Sequence, residues 1–382
     1  MRQRLLIFCI ALTTCVGGGL QAALGWSHQG HILMTRLAAL RIIDDSTAPQ
    51  GLRDFLKQNM PYSLADCRTL ALSQTVGLHP ETSEFDQGLD HWVTMPDQIR
   101  NLPEGQKKIE PYGGAEGQMH FLDLEAFGPR FVYSDDLSSK PDVDLIPHDL
   151  ADPRWKRGGF LPWRVEEMYR RLIEALGPGD RAAHPDDALK AAGYLAHYVE
   201  DATQPHHATI DFNSASYLVG HIKQLPITTR PGAAALAAMR LPVGVNPHGD
   251  LEFQLFASAD PLREAFRAQF WALLLTDIDR LTTERQQKAQ ILPTSFDPFR
   301  WNLNALGDSY DYLPVVGHAA VAAYASGRFD VNAFLGFEGK AKGKTVSVIQ
   351  LIALRNARGV LDVEQCYRLA WSASHSTNTP PG

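Results

Sequence analysis

Cysteine is scarce in this sequence: four occur in 382 residues, at Cys9, Cys15, Cys67 and Cys366, and no two of them stand at the spacing of a cysteine zinc motif. Any metal ion the chain binds must therefore be held by histidine and carboxylate. The sequence also lacks a phosphate loop, a dinucleotide-binding glycine fingerprint, a repeat of fixed period and an alternating strand pattern of useful length. Every long periodic stretch is helical, which predicts an all-α protein. Positive charge is not in excess either, since 36 Lys and Arg face 43 Asp and Glu for a formal net charge of -7. That balance excludes a stable nucleic-acid complex held on a broad basic surface, although a small local cationic site would not show in the sum.

Long hydrophobic runs are missing as well. The longest candidate, Leu5 to Leu12, follows Met1-Arg2-Gln3-Arg4 and is too short to be a confident membrane span, but it has the charged start and short apolar core of a secretory signal. Ala23-Leu24-Gly25 offers small residues at both recognition positions of a signal peptidase. Cleavage there makes residues 1–25 the signal and Trp26 the first residue of an exported chain, periplasmic or extracellular, with no transmembrane span. A competing parse ends a lipoprotein signal at Cys15, where Thr14 is a poor residue before a lipidated cysteine. The exported chain keeps Cys67 and Cys366, which either pair in an oxidising compartment or remain two independent buried thiols. At 45% hydrophobic, residues 26–382 can bury a sizeable core, and no linker forces a domain boundary.

The chain is organised around Ala191 to Ala208. His197 and Asp201 are four residues apart in a segment that reads as helix, so both leave one face. Gln204-Pro205 breaks that helix, and His207 lies beyond the break, able to approach from a turn. His248 and Glu252 repeat the four-residue spacing at the start of a helical pattern that continues, after Pro261, from Leu262 to Leu281. Further helices are expected over His31 to Ile43, Gly51 to Asn59, Trp163 to Leu176, Val315 to Ala325, Val346 to Arg358 and Val363 to Ala373. Pro61 to Pro111, which contains Asp97, reads as loops with helical pieces. Ser134 to Asp152 reads as a surface excursion, and residues 211–247 as a lid or insertion.

Trp26, His31, Asp97, His120, His197, Asp201, His207, His248 and Glu252 form an inventory of nitrogen and oxygen donors suited to zinc, and they exceed one site. Their order resembles the superfamily joining bacterial zinc phospholipase C to the fungal single-strand-specific zinc nucleases. The carrying motifs are His197-x3-Asp201-x2-Gln204-Pro205-x-His207 and Trp26-x4-His31, and the resemblance covers most of residues 26 to 253. It implies a helical protein with three zinc ions. The first would be held by Asp97, His120, His197 and Asp201, and the second by His207, His248 and Glu252. The third would take the free amine and carbonyl of Trp26, with His31 and the far oxygen of Asp201. Asp90 is the rival to Asp97.

What the resemblance implies is an exported zinc-dependent phosphodiester hydrolase with catalytic roles for Asp97, Arg100 and Asp201. It leans to single-stranded nucleic acid: Trp26 to His31, Asp97-Gln-Ile-Arg100 and His120-Phe121-Leu122-Asp123 look like the nuclease branch, where the matching Arg stabilises the transition state and the Phe and Asp bind a splayed base. Glu252 replaces the Asp of the nuclease pattern, as in phospholipase C, and Phe253 stands where the nucleases place an Asn, whereas Gln29 and Gln98 do not resemble the phospholipase choline site. On the residues alone, Arg100 equally suits a surface ion pair, Phe121 a core position and Asp123 a loop acceptor. Phospholipase C activity and a non-catalytic exported metal-binding module are the two alternatives. His28, His206 and His221 receive no role.

Overall fold

Small and apolar residues fill most of the segment that ends at Asp201 and leave one polar edge at His197 and Asp201, so the helix belongs in a core with that edge on a site. The computed structural model, which describes residues 26–74, 88–128, 137, 140–177, 185–219, 221, 241–288 and 296–376, places it there. Among the described residues, eleven helices exceed five residues. They are α1 (His28–Asp44), α2 (Gln50–Asn59), α3 (Leu64–Leu72), α4 (Gly88–Ile99), α5 (Leu161–Leu176), α6 (Pro185–Asp201), α7 (Pro247–Phe253), α8 (Pro261–Lys288), α9 (Pro298–Tyr310), α10 (Leu313–Tyr324) and α11 (Val348–Ser374). Two short antiparallel strands, β1 (Glu338–Ala341) and β2 (Lys344–Ser347), precede α11.

Apart from Lys190, every residue of α6 from Ala188 to Asp201 is buried. The helix packs against α4, α5, α11 and α1. The approach of α4 depends on Gly193, because a Cβ there would lie 2.4 Å from Trp92 Cβ and 2.8 Å from Val93 N. The end of α6 is capped from outside the helix, as buried helix termini require. Ser309 Oγ donates to the Ala202 carbonyl at 2.6 Å, and the buried Arg355 donates Nε to the Thr203 carbonyl at 2.9 Å. Helices α9 and α11 thereby fix the turn in which the metal-type motif continues.

The mostly helical expectation holds, with local differences. The two strands have only four residues each and are largely exposed, so they carry little hydrophobic alternation; the signal that could have found them is the turn at Lys342 and Gly343, both at positive φ (51° and 73°). Val346 to Arg358 and Val363 to Ala373 are not two helices: Val346 and Ser347 end β2, and the rest belongs to one helix, α11, which runs through Gly359 beneath the Met34 side chain of α1. Asp97 lies on α4 rather than in an irregular region. Helix α9 was not expected. Cys67 and Cys366 are separate buried thiols, with burial pushing Cys67 up to about 12. Residues 1–25, and parts of the 134–152 and 211–247 segments, lie outside the described residues.

Candidate metal centre

Five stretches of chain deliver the donors. His197 and Asp201 close one face of α6, and the chain then turns through a short 3-10 segment, Pro205–Ala208, that carries His207. Gln204 shapes this turn: its Oε1 accepts from the His206 N–H at 2.6 Å and its Nε2 donates to Glu252 Oε1 at 2.7 Å. Helix α7 begins with Asn246 as its N-cap and Pro247 in its first turn, and presents His248 and Glu252 from one face. Asp97 comes from the last turn of α4 and Arg100 from the residue just after it, His120 from the end of the 3-10 turn Glu116–Met119, and His31 from α1.

These side chains form three groups whose donor atoms lie within 4.8 Å of one another: His31, His197 and Asp201; Asp97, His120 and His197; and His207, His248 and Glu252, all of them buried. Asp201 joins them, with Oδ2 3.0 Å from His120 Nδ1 and 3.3 Å from His197 Nε2. Its Oδ1 lies 3.5 Å from His207 Nδ1 and 3.7 Å from His31 Nε2. Asp97 Oδ1 stands 3.8 Å from His120 Nδ1 and 4.0 Å from His197 Nε2. Two ligands about 2.0–2.2 Å from one tetrahedral zinc are about 3.3 Å apart, so the separations of 3.3 to 4.0 Å are near ligand spacing, while the 3.0 Å approach of Asp201 to His120 is also a hydrogen bond. Both oxygens of Asp97, Asp201 Oδ1, His31 Nε2, His207 Nδ1 and Glu252 Oε2 are buried without a hydrogen-bond partner. Such atoms are costly unless something satisfies them, and a divalent cation fits this donor set.

The histidines are held from behind. His197 Nδ1 donates to the Val93 carbonyl at 2.8 Å, His248 Nδ1 to the Phe212 carbonyl at 3.0 Å, and His31 Nδ1 to Glu200 Oε2 at 2.7 Å. Those bonds turn Nε2 of each ring toward the cluster, where His31 Nε2 has no hydrogen-bond partner, His197 Nε2 meets His120 Nδ1 at 3.0 Å and His248 Nε2 meets Glu252 Oε1 at 2.6 Å. Burial, with neighbouring imidazoles, holds His31, His120 and His207 well below the usual histidine range. Burial also acts on His197, but the Asp201 carboxylate more than offsets it and raises the ring. Burial pushes Asp201 up to about 6 and Glu252 up to about 7, against the opposing pull of His197 and His248 respectively.

Among the sequence-based candidates, Asp97 stands beside His120 and His197, whereas Asp90 is buried in an ion pair with Arg36 at 2.5 Å. Arg100 is buried rather than on the surface, with Nη1 3.5 Å from Asp97 Oδ1. Trp26 is buried at the start of α1, its indole donating to Thr203 Oγ1 at 2.9 Å, which sets it beside the turn that follows Asp201. Phe121 is half-buried, its ring and carbonyl packed where a Gly159 side chain would sit. Burial, and then Glu125, push the Asp123 carboxyl well above the usual range. Gln29 is buried and donates Nε2 to the Leu70 carbonyl at 2.5 Å. His206 stacks on His248 with 5.3 Å between centroids and meets Ser214 Oγ at 2.8 Å. Glu200 joins the site as well; its adjacency to Asp201 is visible in the sequence, but its partner His31, 169 positions away, is not.

No protein-family profile matches the chain. It is 24% identical, over 217 aligned residues, to a probable serine protease of Bradyrhizobium tropiciagri, an alignment that takes in 48% of this chain and 26% of that protein. The chain thus spans about a quarter of the length of that relative.

Proposed function

We propose that this chain is an exported zinc-dependent phosphodiester hydrolase acting by preference on single-stranded nucleic acid. The observation that carries the reading is the set of three buried donor groups joined through Asp201, with unsatisfied donor atoms at ligand spacing. One ion would be held by Asp97, His120, His197 and Asp201, a second by His207, His248 and Glu252, and a third by His31, Asp201 and the main chain of Trp26. Bound zinc lowers the pKa of water and neutralises charge on phosphate oxygens. Arg100, held against Asp97, supplies a fixed cationic donor for the equatorial oxygens as negative charge develops on them. Phe121 and Asp123, which follow His120 in the chain, would grip an unstacked base by ring and carboxyl.

The printed name of the relative raises hydrolysis by a serine. Among the described residues, the buried pair His206 and Ser214 has Ser–His geometry, but His206 Nδ1 is buried with no carboxylate partner and Ser214 is 1% exposed. A triad needs that third group to orient the ring. The test uses purified exported protein on single-stranded DNA, RNA, phosphatidylcholine and a casein substrate, with and without chelator or a serine-directed fluorophosphonate. Chelator-sensitive cleavage of single strands supports the proposal. Cleavage of phosphatidylcholine alone transfers the site to phospholipase C chemistry. Fluorophosphonate-sensitive proteolysis refutes the proposal, and stoichiometric zinc without any hydrolysis leaves a metal-binding module.

A further inference from the structure

His31 is gripped on both sides by consecutive residues of α6. Its Nδ1 lies 2.7 Å from Glu200 Oε2, and its Nε2 lies 3.7 Å from Asp201 Oδ1. All three side chains are closed to solvent. The second oxygen of Glu200 is not free to swing, because Thr35, one turn along α1 from His31, donates its hydroxyl to Oε1 at 2.7 Å. A parallel stack on His197, 4.1 Å between centroids and 22° between planes, completes the constraint on the ring. A neutral imidazole whose Nδ1–H is donated has its lone pair on Nε2, and here that lone pair faces Asp201.

We infer that Glu200 is a positioning residue: by accepting from His31 Nδ1 and being anchored by Thr35, it aims Nε2 at the position shared with Asp201 and sets the affinity of that position for its metal ion. The inference rests on the metal-centre reading and extends it to a residue that touches no ion itself. It is specific to one position. His197 and His248 are oriented by main-chain carbonyls, which mutation of Glu200 leaves in place.

The experiment measures zinc stoichiometry and stepwise affinity of exported protein by competition with a chromophoric chelator, for the parent, Glu200→Leu, Glu200→Gln and Thr35→Val. Glu200→Leu keeps most of the volume and removes the acceptor, so the affinity of one ion out of three should fall about 10- to 100-fold while the other two hold. Glu200→Gln should restore most of the loss, since its amide oxygen accepts the same N–H while its amino group turns to the Thr35 hydroxyl. Thr35→Val, a gentler change that loosens Glu200 without touching His31, should show a smaller fall at the same ion. A general loss of stability would weaken all three positions and would not be rescued by glutamine. Unchanged binding in Glu200→Leu and Thr35→Val overturns the inference alone, as does a glutamine variant no better than leucine. A parent that takes up no zinc overturns the metal-centre reading and the inference with it.

Discussion

Replacing Gly193 with alanine adds one methyl group at the crossing of α4 and α6, and its consequence can be followed from the backbone to the metal-type cluster. The added Cβ would stand 2.4 Å from Trp92 Cβ, 2.6 Å from Trp92 C and 2.8 Å from Val93 N. Carbon atoms rest about 3.5–4.0 Å apart, so α4 must retreat by about 1 Å, and main chain cannot rotate out of the way as a flexible side chain can. A retreat of that size carries the Val93 carbonyl beyond hydrogen-bonding reach of His197 Nδ1, now 2.8 Å away. Overpacking costs about 1–3 kcal/mol, and stranding the buried ring N–H costs about 1–3 kcal/mol more. Alanine returns about 1 kcal/mol through its higher helix propensity. The net loss is about 1–5 kcal/mol, to be read from urea unfolding. The same movement withdraws Asp97, so zinc affinity should fall at the group of Asp97, His120 and His197 more than at that of His207, His248 and Glu252. A Gly193→Ala protein that is as stable as the parent and binds zinc normally would refute the claim that this close approach places Asp97 and His197.

Asp201→Asn should lose two ions together, because one carboxylate faces both the His120/His197 and the His31 positions; zinc analysis showing all three retained would return Asp201 to a structural role. Arg100→Ala should keep its zinc while turnover on single-stranded DNA falls roughly 10- to 1000-fold, and an unchanged rate would remove Arg100 from the chemistry. The pH dependence has a definite sign. Asp201, raised to about 6, and Glu252, raised to about 7, hold protons in the folded chain that the unfolded chain has released, so zinc-free stability falls as pH rises from the unfolded carboxylate range through those values. Zinc should offset that loss, making its increment in Tm larger at pH 8 than at pH 5 by calorimetry; an equal or smaller increment contradicts the assignment of these carboxylates as ligands.

The two i, i+4 pairs were legible in the sequence because helical periodicity alone puts His197 over Asp201 and His248 over Glu252, and Gln204-Pro205 announces the turn that brings His207 back. Helix class was legible for the same reason. Asp97 against Asp90 was not, since both are carboxylates seven residues apart on what proves to be one helix; the deciding fact is the buried Arg36, distant in sequence, that claims Asp90. The supports behind the histidines were equally hidden. Val93 and Phe212 act through main-chain carbonyls, which have no side-chain signature, and Glu200 acts through a contact spanning 169 positions. The hairpin before α11 escaped notice because its strands are short and mostly exposed, so they pack too little to leave a pattern.

Three metal positions in one buried cluster can be seen by anomalous X-ray scattering measured across the zinc absorption edge, on crystals of the chain beginning at Trp26 grown with zinc. Three edge-dependent peaks are expected: one among Asp97, His120, His197 and Asp201, one among His207, His248 and Glu252, and one between His31, Asp201 and the main chain of Trp26. Crystals with full zinc in the medium and no peak inside this cluster would contradict the three-metal assignment.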